Sequence, residues 1–425
     1  MNLRTATTSL SPPASASPTS RCSWTLQFIG QQLHERQSFI RRVQWVLVLV
    51  YGLLLVLPAL PAPLHWGTTV FLSIAASETL GGWARILFWC VWWPGVILSV
   101  LVFGQFWCGV LCPDGAVTEF ASRHGRAWRI PSRLRWAGWP LVLFVVMTLL
   151  EAIVDIRGPA RNTLLVLGGI SLAALLVGLG YGKGKRVWCR YLCPTAGLFS
   201  LLSRCAFLHF RVDRAAWDAA PRPIKAIDCP PMLDVRRLRS NEKCSMCGRC
   251  SGHRQAVVLA WRPSGQELFR MTAEEARLLD GLVILYLLLG LTLATGQSFA
   301  PSFSAFSDVL PATIWRYGLL PVGYGLVFFL PLLGATGGRW LPALRLVYGL
   351  IPLGGISLAL MAIAQGWSAV GADGFVLSAI GIKTALLGAG FFWSAHLLRG
   401  LLPTTRAWGL ALVSPLLFSL LRILA

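Results

Sequence analysis

The sequence predicts an all-α polytopic membrane protein of about nine transmembrane helices, interrupted by one small soluble insert. Three observations carry that expectation. Apolar residues make up 55% of the 425 and charged residues only 13%, too few for a soluble chain of this length. Apolar stretches near 20 residues long recur, each enough to cross a hydrocarbon core about 30 Å thick. The basic residues gather in alternate connecting segments.

The elements follow in order. The first 20 residues are rich in Ser, Thr, Pro and Ala, and segment 1–40 reads as a disordered, basic cytoplasmic N-terminus without a cleavable signal. Spans are expected over 43–63, 86–106, 138–156 and 163–181. A soluble insert over 205–278 follows, then five more spans over 279–298, 318–336, 346–364, 378–398 and 407–424. The chain thus divides into the tail, two membrane hairpins over 41–204, the insert, and a five-helix membrane domain over 279–425. With the N-terminus in the cytoplasm, 32 of the 38 Lys and Arg residues face the cytoplasm. The opposite loops hold only Arg85, Arg157, Arg161 and Arg316. This is the positive-inside asymmetry, and it explains the net charge of +21 without a nucleic-acid partner.

The two hairpins are copies of one another. Trp107-Cys-Gly-Val-Leu-Cys-Pro113 follows the second span, and Trp188-Cys-Arg-Tyr-Leu-Cys-Pro194 follows the fourth, 81 residues later. Each copy ends in a W-C-x-x-L-C-P turn and a short helix. Parallel repeats of this kind can bring their two turns together beneath the membrane. In the insert, Ala256 to Trp261 and Gln266 to Met271 read as a hairpin around a turn at Arg262-Pro-Ser-Gly265. Thr272 and Glu275 read as a capping box opening the next helix.

Eight of the eleven cysteines lie in segments assigned to the cytoplasm, where thiols stay reduced. Clustered cysteines there point to metal or redox chemistry rather than disulfides. Cys22, Cys90 and Cys205 stand alone and read as tail, membrane-packing and core residues. Cys244-x2-Cys247-x2-Cys250 is the opening triplet of the ferredoxin run C-x2-C-x2-C-x3-C-P, whose fourth cysteine would fall at Arg254. In two-cluster ferredoxins each Cys-Pro ligates the cluster of the other motif, and a Cys-Pro stands upstream at Cys229-Pro230. Cys229, Cys244, Cys247 and Cys250 therefore form one candidate [4Fe–4S] ligand set. A zinc knuckle on the same four is the alternative, and its preferred paired C-x2-C units are absent. His253 is the substitute ligand should Cys229 lie too far away. Pro113 and Pro194 suit the first position of a helix, so Cys112 and Cys193 cap helix N-termini, where N–H groups and the dipole stabilise thiolates. Cys108, Cys112, Cys189 and Cys193 form a second candidate cluster set, with copper(I), zinc or a redox-active dithiol as alternatives on the same residues.

The paired W-C-x-x-L-C-P turns, the run Cys229-Pro-Pro-Met-Leu-Asp-Val-Arg236 and the triplet Cys244 to Cys250 resemble the membrane polyferredoxin family of NapH, NosR and CcoG type. The resemblance covers about residues 40–270. It implies two [4Fe–4S] clusters, a multi-pass location in a bacterial inner membrane, and electron flow from a quinol or cytoplasmic reductant to a periplasmic redox or metal-handling partner. The chain lacks part of each ferredoxin motif, so the insert is expected to hold one cluster rather than two. Its five further spans make it most similar to the ferredoxin-like membrane component of ferrous-iron uptake systems. Copper reduction for oxidase assembly, or support of nitrate or nitrous-oxide respiration, are the alternatives within the family.

Other features stay outside this reading. His396 is the only histidine within a span, so a bis-histidine haem has no ligand pair. Glu151 and Asp155 stand four residues apart near the outer end of the third span, where they mark a proton path or a solvated edge equally well. Two functions of other classes compete. One is a metal transporter whose cysteines hold cargo, although its membrane domain has few carboxylates; the other is a membrane-anchored redox sensor.

Overall fold

A computed structural model describes residues 18–60, 80–154, 156, 159–221, 226–295, 314–368, 380–402 and 404–424. The chain is an all-α polytopic membrane protein. Among the described residues, six helices are long and apolar enough to cross a membrane: Gln37–Ala59, Gly82–Phe103, Ala160–Gly180, Trp315–Ala335, Trp340–Ala364 and Arg406–Ile423. Two other expected spans are shorter apolar helices, Trp139–Leu150 and Leu278–Ala294. The expected span 378–398 lies in the helix Ile380–Leu401. A helix satisfies its own backbone polar groups, which is why these apolar runs adopt it. The side chains of Glu151 and Asp155 lie outside the described residues.

One continuous apolar core joins the halves of the molecule. Leu101 of the first hairpin, Leu202 beyond the second turn, Leu287, Leu353 and Leu397 all belong to it. The C-terminal helices are therefore packed onto the duplicated hairpins. A small satellite core serves the insert, where Phe210, Val235, Met246, Val257 and Leu259 are buried together with Cys244.

The structure corrects two expectations. The strand Val257–Trp261 (β2) pairs antiparallel not with Gln266–Met271 but with Leu208–Val212 (β1), in a register that sets Leu208 opposite Trp261 and Val212 opposite Val257. Gln266–Arg270 is instead a short helix entered from Gly265 at φ 78°. Gln-Glu-Leu-Phe-Arg contains mostly good helix formers, and glycine pays little for that left-handed entry. The capping box at Thr272 and Glu275 is present, but it opens a single 3₁₀ turn ahead of the membrane helix, which begins at Leu278.

The second correction concerns the N-terminal segment. Residues Pro18–Glu35 form a helix rather than a disordered tail. Composition bias misled because the apolar positions of this helix have a partner: Leu26 packs on the satellite core. Gly30 lies so close to β2 that a Cβ there would sit 3.0 Å from the Leu259 Cβ, and 2.7 Å from Ser251 Oγ ahead of the strand.

Candidate metal centres

The two cysteine turns have one backbone. The Cys112 N–H donates to the Trp107 carbonyl at 2.9 Å, and the Cys193 N–H donates to the Trp188 carbonyl at 2.9 Å, five residues back in both. Cys112 leaves the turn at φ −65°, ψ 121° and Cys193 at φ −64°, ψ 118°. Pro113 and Pro194 then open the helices Pro113–His124 and Pro194–Leu202. Proline fits there because the first helical N–H has no intrahelical acceptor. The repeat in sequence is thus a repeat in structure, and both second cysteines take the N-cap position expected of them.

The turns converge. Cys108, Cys112, Cys189 and Cys193 line one cavity of about 230 Å³. The Cys193 Sγ lies 3.1 Å from Thr195 Oγ1. Burial pushes the Cys112 thiol up to about 12, with the charges of Asp114 and Cys193 adding to it. Burial likewise raises Cys108 well above its ordinary value, followed by Cys112, Cys193 and Cys189. Four buried groups that oppose one another's ionisation become thiolates only against a compensating positive charge, which metal binding supplies as it displaces the protons.

A second cavity is lined by Cys229, Cys244, Cys247 and Cys250. Left-handed residues bend the loop around it: Met246 at φ 53°, Gly248 at φ 77° and Gly252 at φ 75°. Any Cβ at Gly248 would also strike Leu33 of the N-terminal helix. That helix and its continuation fasten the loop from outside. Gln37 Nε2 donates to the Cys247 carbonyl at 2.9 Å, and Arg249 Nε donates to Gln37 Oε1 at 3.1 Å.

Cys229 reaches the triplet because the second turn holds its segment. Arg190 Nη1 donates to the carbonyls of Pro231 and, at 2.7 Å, Met232. The Arg186 N–H donates to the Pro230 carbonyl at 2.9 Å, and Lys185 Nζ pairs with Asp228 at 2.6 Å. His253 does not line this cavity. Its ring packs on Trp217 at 5.1 Å, and Arg254, where the ferredoxin run would place a cysteine, also lies over Trp217 at 5.2 Å.

The two cavities share walls: Ser245 and Pro231 line both. Gly109, inside the first turn, lies directly on the triplet loop, where a Cβ would collide with the Ser245 carbonyl and stand 2.7 Å from the Cys247 nitrogen. A buried ionic knot closes the junction. Glu119 Oε2 pairs with Arg186 Nε at 2.9 Å, while Glu119 Oε1 pairs with Arg249 Nη2 at 2.5 Å and Arg123 Nη2 at 2.6 Å. Arg186 Nη1 also donates to the Cys108 carbonyl at 2.7 Å. Burial alone would raise the Glu119 pKa, but Arg186 and Arg249 outweigh it and hold the carboxyl at about 2.

Among the described residues, no three Cys, His, Asp or Glu side chains converge tightly enough to hold a single metal ion. Zinc needs all its donors at about 2.0–2.3 Å from one point. A cubane carries its four thiolates on four different irons, so its ligands stand further apart. Four cysteines around each cavity match the four thiolates that a cubane takes, one on each iron.

A family model described as a 4Fe-4S binding domain matches residues 86–131 and 164–214. The chain is an iron–sulfur protein. Its cofactors are [4Fe–4S] clusters, and each matched segment contains one W-C-x-x-L-C-P turn. Cys229 and the triplet of this iron–sulfur protein lie beyond both segments, so the ligand reading at the second cavity rests on geometry. No curated protein and no solved structure matches the chain. Sequence reasoning named all eight cavity cysteines but passed over Gly109, Glu119, Arg186, Arg190 and Ser245. Their one signal in the sequence was proximity to the cysteines.

Proposed function

We propose that this protein relays single electrons through two [4Fe–4S] clusters, one on Cys108, Cys112, Cys189 and Cys193 and the other on Cys229, Cys244, Cys247 and Cys250. It sits in a bacterial inner membrane with both clusters at the cytoplasmic face. Electrons come from a quinol or a cytoplasmic reductant and leave towards a periplasmic redox or metal-handling partner, in ferrous-iron uptake.

The carrying observation is the shared wall. Two four-cysteine cavities meet at Ser245 and Pro231, with the Gly109 turn seated on the Cys247 backbone. A bound cubane supplies one-electron redox chemistry at a potential set by charge, sulfur hydrogen bonds and exposure. The first turn packs on the triplet loop at Gly109, and the Glu119–Arg186–Arg249 knot ties the two together. The N-terminal helix covers the triplet loop and limits water there. The first cavity also reaches Trp136, Leu141 and Leu279, at the ends of apolar helices, which supports a membrane-soluble donor. The basic excess of the cysteine-bearing segments supports the orientation, and the family resemblance supports the pathway.

Anaerobic purification with iron and sulfide analysis and electron paramagnetic resonance tests the reading. Two reducible cubanes per chain are expected. Stoichiometric zinc or copper without sulfide would overturn it in favour of metal transport.

A further inference from the structure

Among the described residues, the wall common to both cavities holds a polar side chain without a protein partner. Ser245 is 8% exposed, and its hydroxyl is buried and makes no hydrogen bond. Burying a hydroxyl unpaired is costly, so native proteins rarely leave one without an acceptor. The same residue follows a cysteine of the second set, lines both cavities, and bears on its carbonyl side against Gly109 of the first turn. Its surroundings offer little else. The neighbouring carbonyls of Asn241 and Glu242 already accept from Gln105 Nε2, at 3.2 and 2.6 Å, and Arg190 spends its Nη1 on the 231–232 carbonyls while its Nε, a donor, is left without a partner. Cysteine sulfur lines the cavity on either side of Ser245, Cys108, Cys112, Cys189 and Cys193 in one and Cys229, Cys244, Cys247 and Cys250 in the other.

We propose that the Ser245 hydroxyl donates a hydrogen bond to a sulfur of a bound cluster at the junction, and thereby sets how an electron divides between the two sites. The inference rests on the two-cluster reading above. Reduction adds negative charge to a cluster and its sulfurs, so a donated hydrogen bond stabilises the reduced form and raises the potential. Losing the donor lowers it. The acceptor sulfur belongs to whichever cluster responds, and the other keeps its potential.

The test is a redox titration, followed by electron paramagnetic resonance, of the full chain purified anaerobically with its clusters in detergent. Wild type, Ser245→Ala and Ser245→Thr are compared. Ser245→Ala removes one oxygen and no packing carbon, so cluster loading is retained. A fall in one midpoint potential is expected, equivalent to a roughly tenfold change in the division of one electron between the sites, or about 59 mV. Ser245→Thr keeps the hydroxyl and returns the potential towards wild type. Unchanged potentials in Ser245→Ala would overturn the proposal and assign the hydroxyl to a buried water. A fall that Ser245→Thr leaves uncorrected would overturn it too, because the change would then come from packing. Wild-type protein without any cubane signal would sink the proposed function instead.

Discussion

Glu119 is the residue whose loss separates the two cysteine sites most directly. Its carboxylate is 5% exposed and meets Arg186, Arg249 and Arg123 at 2.9, 2.5 and 2.6 Å. Arg186 belongs to the second turn and Arg249 to the triplet loop, while Glu119 itself lies on the helix that follows the first turn. One carboxylate thus bonds three chain segments that carry seven of the eight cavity cysteines, all but Cys229. Glu119→Gln preserves its shape and removes its charge, leaving Arg186 buried without an anion and Arg249 with only the exposed Asp228 at 3.4 Å. Removing one partner of a buried ion pair costs about 3–5 kcal/mol. The pKa gives an independent figure: a carboxyl moved from 4.5 to about 2 stores roughly 3 kcal/mol, at about 1.4 kcal/mol per unit. Because the folded value is the lower one, this contribution is complete above about pH 4.5 and drains away as the pH falls towards 2.

About 3 kcal/mol corresponds to a rise of roughly a hundredfold in the population of the opened junction. Hydrogen exchange at neutral pH reads that population directly in segments 113–124 and 244–250. Resistance of the clusters to an iron chelator reads its consequence. Glu119→Gln should exchange faster in both segments and lose iron sooner. The double variant Glu119→Gln/Arg249→Gln removes one stranded cation and should recover part of the loss, a coupling the double-mutant cycle isolates. Wild-type exchange and wild-type iron retention in Glu119→Gln would refute the claim that this ion knot holds the sites together.

Three further predictions follow from the same geometry. Cys108→Ala should abolish one cubane signal and about half of the iron and sulfide while the other cubane remains; loss of both would deny that the eight cysteines form two separate sets. Arg190→Ala removes two carbonyl anchors from the Cys229 segment, each charged hydrogen bond worth about 1.5–3 kcal/mol; the second cluster should leave to chelator before the first, an order measured by the decay of the two resonance signals. His253→Ala should leave both signals and potentials as they are, since its ring packs on Trp217 rather than into the cavity; an altered signal would return His253 to the ligand set.

What the sequence disclosed and what it hid have separate physical causes. The membrane helices were legible because hydrocarbon forbids unsatisfied backbone, so a span must be an uninterrupted apolar run, and such runs stand out from composition alone. The W-C-x-x-L-C-P turns were legible because their geometry is local. The hydrogen bond from each N-cap cysteine closes over five residues, and proline fixes the next position. The pairing of β2 was illegible because its partner, Leu208–Val212, lies some fifty residues upstream, while the adjacent Gln266–Arg270 follows a turn signal that suits a hairpin equally well. The N-terminal helix was illegible for the same reason: nothing before residue 40 discloses that Leu26 and Gly30 have β2 to pack against.

The junction residues form a third kind, neither local nor apolar. Arg186 reads in the sequence as one more basic residue of a positively charged segment, indistinguishable from the exposed Arg236 and Arg237. In the structure it is 2% exposed, and its charge acts on cysteines of both sets, Cys189 and Cys247. Positive-inside bias therefore hides two populations. Most of the basic residues report orientation, whereas Arg186, Arg190 and Arg249 are spent on carbonyls and on the carboxylates of Glu119 and Asp228 at the boundary of the cavities. The distinction has an energetic test built into it. A surface arginine contributes about 0–1 kcal/mol and is screened by salt, whereas the buried Arg186–Glu119 pair is shielded from it. Raising the ionic strength should leave the junction closed while it weakens the outer Arg236–Asp218 pair, whose side chains are about half exposed. A junction that opened with salt in step with that pair would mean its charges are solvated after all, and the two cavities would lose the rigid wall on which the proposed electron relay depends.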